Sequence, residues 1–180
     1  SSDVCSSDLK KSAWADDHRS VVSIGTMVLD TLRGEWALRR NVDPTGEQLI
    51  GDADFASTGE SALTYRESGI LRLRDGRELS ASRQYRYCAV GNRVDVQFAD
   101  GPNTGKLFLN LEFSRKNRGY EATDTHVCGD DAYHAFYRIL DAGSFETVIR
   151  VIGPRKAYAL RSRYAKKSRT TPDRLLFPLA

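Results

Sequence analysis

The chain is poor in the residues that build sites by themselves. Its 180 residues include three cysteines, Cys5, Cys88 and Cys128, with no C-x-x-C pair. Neither a zinc centre nor a disulfide framework is indicated, and reduced thiols in a cytoplasm are expected. No run approaches the roughly 18 apolar residues that a membrane-spanning helix needs. The first twenty residues carry acids where a secretory leader would be apolar, so neither a membrane nor export is expected. Charge of one sign is lacking too. The 27 lysines and arginines against 24 acids leave a net +3, too weak a field to imply nucleic acid. The opening SSDVCSSDL repeats Ser-Ser-Asp and resembles a translated sequencing adapter. Residues 1–20 are therefore expected to be disordered or artefactual and Cys5 to have no role, with the single methionine, Met27, a candidate natural start.

What the chain has is alternation. One stretch has helical spacing, Val28, Leu29 and Leu32, and Gly34 is placed to stop it. From Gly34 onward the period is two. Trp36, Leu38 and Arg40 share a face, as do Gly51, Ala53 and Phe55, and then Leu63, Tyr65 and Glu67. Leu79 to Tyr87 forms a long strand after the Asp75-Gly76 hairpin signal, read as a tight two-residue turn. Val94 to Phe98, Leu107 to Phe113, Tyr120 to Cys128, Tyr133 to Leu140, Phe145 to Ile152 and Ala157 to Tyr164 complete about ten strands joined by short turns. Short connections favour sequential antiparallel pairing, and a meander this long removes its open edges by closing. The expected architecture is all-β, an antiparallel up-and-down barrel of about 8–10 strands with a short N-terminal helix. One domain is expected over residues 21–170, with 171–180 a tail that frays or packs across the barrel. A β-sandwich is the alternative, but it needs a long crossing connection that the sequence does not offer.

Gly34-Glu35-Trp36 on the first strand, after a short helix and before eight or more meandering strands, resembles the calycin group, the lipocalins and fatty-acid-binding proteins. That resemblance implies that Trp36 closes one barrel end beneath a basic side chain of the last strand, Arg161 or Arg163, in a cation–π contact. It also implies that an arginine there, beside Tyr164, holds a ligand carboxylate. Leu32 to Tyr164 further resembles an uncharacterised bacterial and fungal domain family. The matching elements are Gly34-Glu35-Trp36-Ala37-Leu38-Arg39-Arg40, Gly51-Asp52-Ala53-Asp54-Phe55, Tyr65-Arg66-Glu67, Arg83-Gln84-Tyr85, Phe98-Ala99-Asp100-Gly101, the His126 to Tyr133 segment, and Gly153-Pro154-Arg155-Lys156. After Asp100-Gly101 the family continues with Arg and an aromatic-His pair, whereas this chain reads PNTGKLFLN. The resemblance bears on boundaries and fold more than on function.

Charged side chains on expected inner faces carry the chemistry. Glu67, Arg83 and His126 each continue an apolar face, and a charge in a packed core costs several kcal/mol unless paired. Either Glu67 and Arg83 pair with each other, or they line a polar pocket walled by tyrosines 65, 85, 87, 133 and 137. HVCGDDAYH, residues 126–134, gathers His126, Cys128 and two aspartates around Gly129. A structural hairpin explains it best, ahead of ligand contact and of Cys-His catalysis. The last strand is basic, with Arg155, Lys156, Arg161, Arg163, Lys166, Lys167 and Arg169. Its interleaved Tyr158 and Tyr164 suit base stacking, although a solvated strand is the commoner explanation.

The expected function is a cytoplasmic, non-enzymatic barrel for a small, partly apolar, anionic ligand. Its site would be drawn from Trp36, Arg40, Tyr65, Glu67, Arg83, Tyr85, His126, Tyr133, Tyr137, Arg161 and Arg163. An acid–base enzyme using Glu67 and His126, and a weak nucleic-acid binder, are the alternatives. No cofactor is expected; haem on His126 is the one candidate. The sequence does not specify an oligomeric state. Arg40, on the Trp36 face, is the residue whose direction separates a filled core from a site.

Overall fold

The computed structural model describes residues 22–168; Cys5, residues 1–20 and the 171–180 tail lie outside them. Ser23 caps the one α-helix among the described residues, α1 (Ile24–Leu32), its Oγ accepting from the Thr26 amide at 3.2 Å, which satisfies one of the orphan donors of the first turn. The expected face, Val28, Leu29 and Leu32, is buried, each residue worth about 1.5–3 kcal/mol of transfer. Gly34, at φ +106°, turns the chain directly from helix to strand, a backbone conformation that side chains resist.

The strands follow as β1 (Gly34–Asp43), β2 (Gln48–Gly59), β3 (Ala62–Arg72), β4 (Glu78–Val90), β5 (Arg93–Phe98) and β6 (Leu107–Glu112). After them come β7 (Ser114–Lys116), β8 (Gly119–Cys128), β9 (Asp131–Asp141), β10 (Ser144–Gly153) and β11 (Lys156–Lys166). All eleven belong to one antiparallel sheet in which first and last pair, so the order runs β6 to β1, then β11 back to β7. The expected meander is there, with β7 added where SRKNRG reads as a turn. The barrel is nearly closed: its one break is a seam between β6 and β8, bridged where Asp124 accepts from the Asn110 amide at 2.6 Å.

Two details differ from expectation. Arg74, Asp75 and Gly76 make a three-residue loop closed by Leu73 and Arg77, because the Gly76 amide bonds the Leu73 carbonyl and the Leu73 amide bonds that of Arg77. Gly76 supplies the positive φ at its last position. On β6, Phe108 is an extra residue opposite the step from Val96 to Gln97 of β5, and it breaks the alternation. Leu107 is exposed and Phe108 turns in beside Leu109, the re-aiming that a bulge produces.

The interior has two halves. At the helix end it is a packed core in which Trp36, Leu38, Phe55, Leu63, Val94 and Phe145 are buried. Trp36 is fully enclosed: its indole N–H donates to the Leu32 carbonyl at 2.7 Å, and its ring meets Phe145 edge-on at 4.8 Å. The cation over the indole is Lys166, 4.8 Å from the ring centre, not Arg161 or Arg163. Both arginines sit at exposed positions of β11, because the inward phase belongs to Tyr158, Leu160, Ser162 and Tyr164. Among the described residues no helix is long and apolar enough to cross a membrane.

Candidate functional site

Beyond that core, toward the end opposite α1, the barrel encloses a cavity of about 460 Å³. Its floor is a polar cluster that β1, β3 and β11 place at one level, since Arg40 pairs in register with Ser162, and Tyr164 lies one inward position further along β11. Arg40 points inward. Nη1 and Nη2 donate to the two oxygens of Glu67 at 2.7 Å each, and Nε donates to Ser162 Oγ at 2.7 Å. The Tyr65 hydroxyl donates to Glu67 and lies 3.1 Å from that of Tyr164, whose ring stacks on Phe145. Glu67 is 7% exposed, so its carboxylate is tolerable only with such a set of donors. Burial works to lower the Arg40 pKa, but the opposing pull of Tyr164 and of Glu67 outweighs it and the pKa rises. The guanidinium is held charged.

The Glu67–Arg83 pair expected from the sequence does not form. The two are opposite in register, but Glu67 is taken by Arg40, while Arg83 stands at the rim and reaches Asp100 at 3.3 Å. Asp100 also accepts from the Gln84 amide, which anchors the rim. Lys156 is likewise matched, by Asp131 at 2.5 Å and the Tyr133 hydroxyl at 3.4 Å.

Tyr65, Tyr85, Tyr87, Tyr133 and Tyr137 all line the cavity, as the pattern of inner faces predicts. Burial raises the pKa of Tyr65 and Tyr87 well above the ordinary phenol value and that of Tyr85 to about 12. His126 stands near the mouth among Phe98, Phe108 and Tyr133, with ring centres 5.3–6.1 Å away. Cys128 lines the same rim, two residues on along the same strand face. Phe98 and Phe108 are wall residues that the sequence pattern does not single out. Phe108 is hidden by the bulge, and Tyr164, expected beside an arginine of the last strand, stands beside Arg40 instead.

Several readings lose support. With Arg161 and Arg163 outside, no arginine of the last strand can neutralise a ligand within. Arg161 instead pairs with Asp43 at 2.6 Å and Lys167 with Asp52 at 2.8 Å. A base-stacking strip loses support for the same reason of phase: Tyr158 and Tyr164 turn inward while Arg161 and Arg163 turn out; Arg169 lies outside the described residues. For acid–base chemistry, both Glu67 oxygens already accept hydrogen bonds, and His126 is not among their donors. Among the described residues no three metal-ligating side chains cluster.

Fold and site together define an antiparallel up-and-down β-barrel with a packed helix end and a tyrosine-walled cavity at the other. The chain belongs to the family of unknown function DUF6314, which matches residues 32–166. No curated protein matches it. Among solved structures, the S-type phycobiliprotein lyase CPES from Guillardia theta is 8% identical over 82% of this chain and 94% of its own, with a TM-score of 0.60. Rv2717c from M. tuberculosis is 17% identical over 80% of this chain and 98% of its own, with a TM-score of 0.55. At these identities the likeness is one of fold.

Proposed function

We propose that the protein is a binding barrel that takes up a small, partly apolar molecule in the cavity opposite α1. The cavity carries this reading: its volume of about 460 Å³ falls within the roughly 300–1,000 Å³ of ligand pockets, and apolar walls with a few convergent polar groups are what such pockets present. The floor supports it too, because the Arg40–Glu67–Tyr65 cluster is satisfied internally and holds its shape without a ligand. The anionic character expected of the ligand has less to rest on, since Arg40, Arg83 and Lys156 each already face a carboxylate. A neutral polar end is favoured. Fluorescence of 8-anilinonaphthalene-1-sulfonate tests the reading: enhancement by the native protein, abolished by cavity-filling Ile149→Trp, supports it. A signal untouched by that substitution in a folded variant places the dye elsewhere and removes the support.

Haem on His126 is a second reading of the same cavity, favoured by an imidazole whose ring nitrogens make no protein hydrogen bond among the described residues. Added hemin should give a shifted Soret band that His126→Ala abolishes; an identical spectrum from the variant dismisses it.

A further inference from the structure

The two walls of the cavity differ in kind. β1 and β11 lie at the middle of the strand order and the seam at its ends, so in the near-closed barrel they oppose each other. On the β1–β11 side, above the floor of Arg40, Ser162 and Tyr164, the lining is mainly aliphatic, Val42, Leu49, Leu71, Ile149 and Leu160, with the ring of Tyr158 among them. On the seam side it is aromatic: Tyr85, Phe98, Phe108, His126 and Tyr133. These rings form one connected surface centred on Phe108, which lies 4.8 Å from Phe98, 5.5 Å from Tyr85 with planes 13° apart, and 5.3 Å from His126. A conjugated ligand gains a quadrupole term from such a wall that a saturated one lacks, up to about tenfold in affinity per well-placed ring pair.

The floor adds a directional requirement. The Tyr87 and Tyr137 hydroxyls are 3.2 Å apart, and both side chains are buried and line the cavity. Two hydroxyls carry two protons, and their mutual bond uses one. The other O–H has no protein acceptor among the described residues, and a buried donor left so is costly. Among the described residues the cations around the cavity, Arg40, Arg83 and Lys156, each face a carboxylate, so they offer little charge for a ligand to balance.

We propose that the ligand is a flat, conjugated, uncharged molecule lying between the aromatic and aliphatic walls, with a carbonyl or ring nitrogen accepting from the Tyr87–Tyr137 pair. This rests on the reading of the cavity as a binding site. Isothermal titration of the native protein with four probes separates the two. Flavone is flat and carries a carbonyl; 2-phenylnaphthalene is flat without one; cyclododecanone has the carbonyl without the conjugation; palmitate is an anionic chain. Flavone is expected to bind at least tenfold more tightly than cyclododecanone or palmitate. Phe108→Leu should cost flavone about tenfold and cyclododecanone nothing; if that variant does not fold, His126→Leu, on the half-exposed rim, reads the same wall. Tyr87→Phe or Tyr137→Phe alone leaves one donor and should change flavone binding less than twofold. The double variant should weaken flavone about tenfold without affecting 2-phenylnaphthalene. Equal or tighter binding of cyclododecanone or palmitate overturns this proposal and leaves the binding barrel standing. If none of the four probes binds, both fall.

Discussion

Arg40 and Glu67 meet inside the barrel as a two-armed pair, each nitrogen 2.7 Å from its own carboxylate oxygen. Tyr65 donates to the same carboxylate, and Tyr164 stands 3.1 Å from Tyr65. An arginine of β1 and two tyrosines thus surround a carboxylate that the protein itself supplies, and Arg161 and Arg163, expected in that role toward a ligand, stand outside. The pair sits on the boundary between core and cavity, so it makes the floor of the cavity as well as the roof of the core.

Removing one partner should therefore cost far more than removing both. Glu67→Ala leaves a guanidinium 17% exposed without its counter-charge, a loss of about 3–5 kcal/mol, or a fall in Tm of roughly 10 °C. Arg40→Met with Glu67→Leu replaces the pair with apolar volume and should fall much closer to the native Tm. Formate, which fits the vacated carboxylate position, should recover part of the loss in Glu67→Ala and none in the double variant. Thermal melts with and without formate give the answer. Equal losses in the single and double variants would mean that the pair is not what holds the floor.

The tyrosines set the alkaline limit of the fold. Burial raises the pKa of Tyr65, Tyr87, Tyr85 and Tyr137 in the folded state, while in the unfolded chain they ionise near about pH 10. Between those values the unfolded state binds fewer protons, so stability is full below about pH 10 and falls as pH rises above it. Absorbance at 295 nm should show only part of the eight tyrosines ionising by about pH 11, the rest appearing together with unfolding. Full, smooth ionisation of all of them in the native state would contradict their burial.

The sequence disclosed the barrel because alternation and short turns are local signals, and with inner faces known, Arg40, Tyr65, Glu67, Tyr85, His126, Tyr133 and Tyr137 could be assigned to one interior. It could not disclose partners. Glu67 and Arg83 are adjacent by strand pairing, and only the course of the barrel brings Arg40 across to take the carboxylate first. Arg161 and Arg163 were misplaced through a resemblance, although their alternation with Ser162 and Tyr164 already put them outside. Phe108 was hidden for a physical reason: a bulge shifts the phase of two, and no residue in LFLNLE marks it.

Gly51 and Gly69 show another relationship that no local signal announces. They face each other across β2 and β3, and a Cβ on Gly51 would lie 2.1 Å from the Ser68 carbonyl oxygen, one on Gly69 2.5 Å from that of Ile50. Neither backbone has a positive φ, so the requirement is for space alone. Gly51→Ala should destabilise the protein by about 1–3 kcal/mol. At the strand end, Gly59→Ala meets nothing within 4 Å and should be neutral or slightly stabilising. Chemical denaturation of the two variants compares them; equal midpoints would show that the strands separate without cost.

The seam is the part of the wall held by fewest bonds. Elsewhere around the barrel each strand is laddered to its neighbours, but β6 meets β8 through Asp124, which accepts from the Asn110 amide at 2.6 Å, while the Asn110 side chain donates to Asp95 at 2.7 Å. Asp124→Leu strips the amide of its acceptor and should cost about 1–3 kcal/mol. The effect should be local. Amide hydrogen exchange should quicken across β6 and β8, while the β1–β11 ladder opposite keeps its protection, because opening at the seam breaks no ladder. Phe108 lies on this same stretch of β6, so a loosened seam also loosens the centre of the aromatic wall, and probe affinity should fall with the protection of β6. Uniform acceleration over all strands would instead mean that Asp124 supports the whole barrel and that the seam is no weaker than the rest.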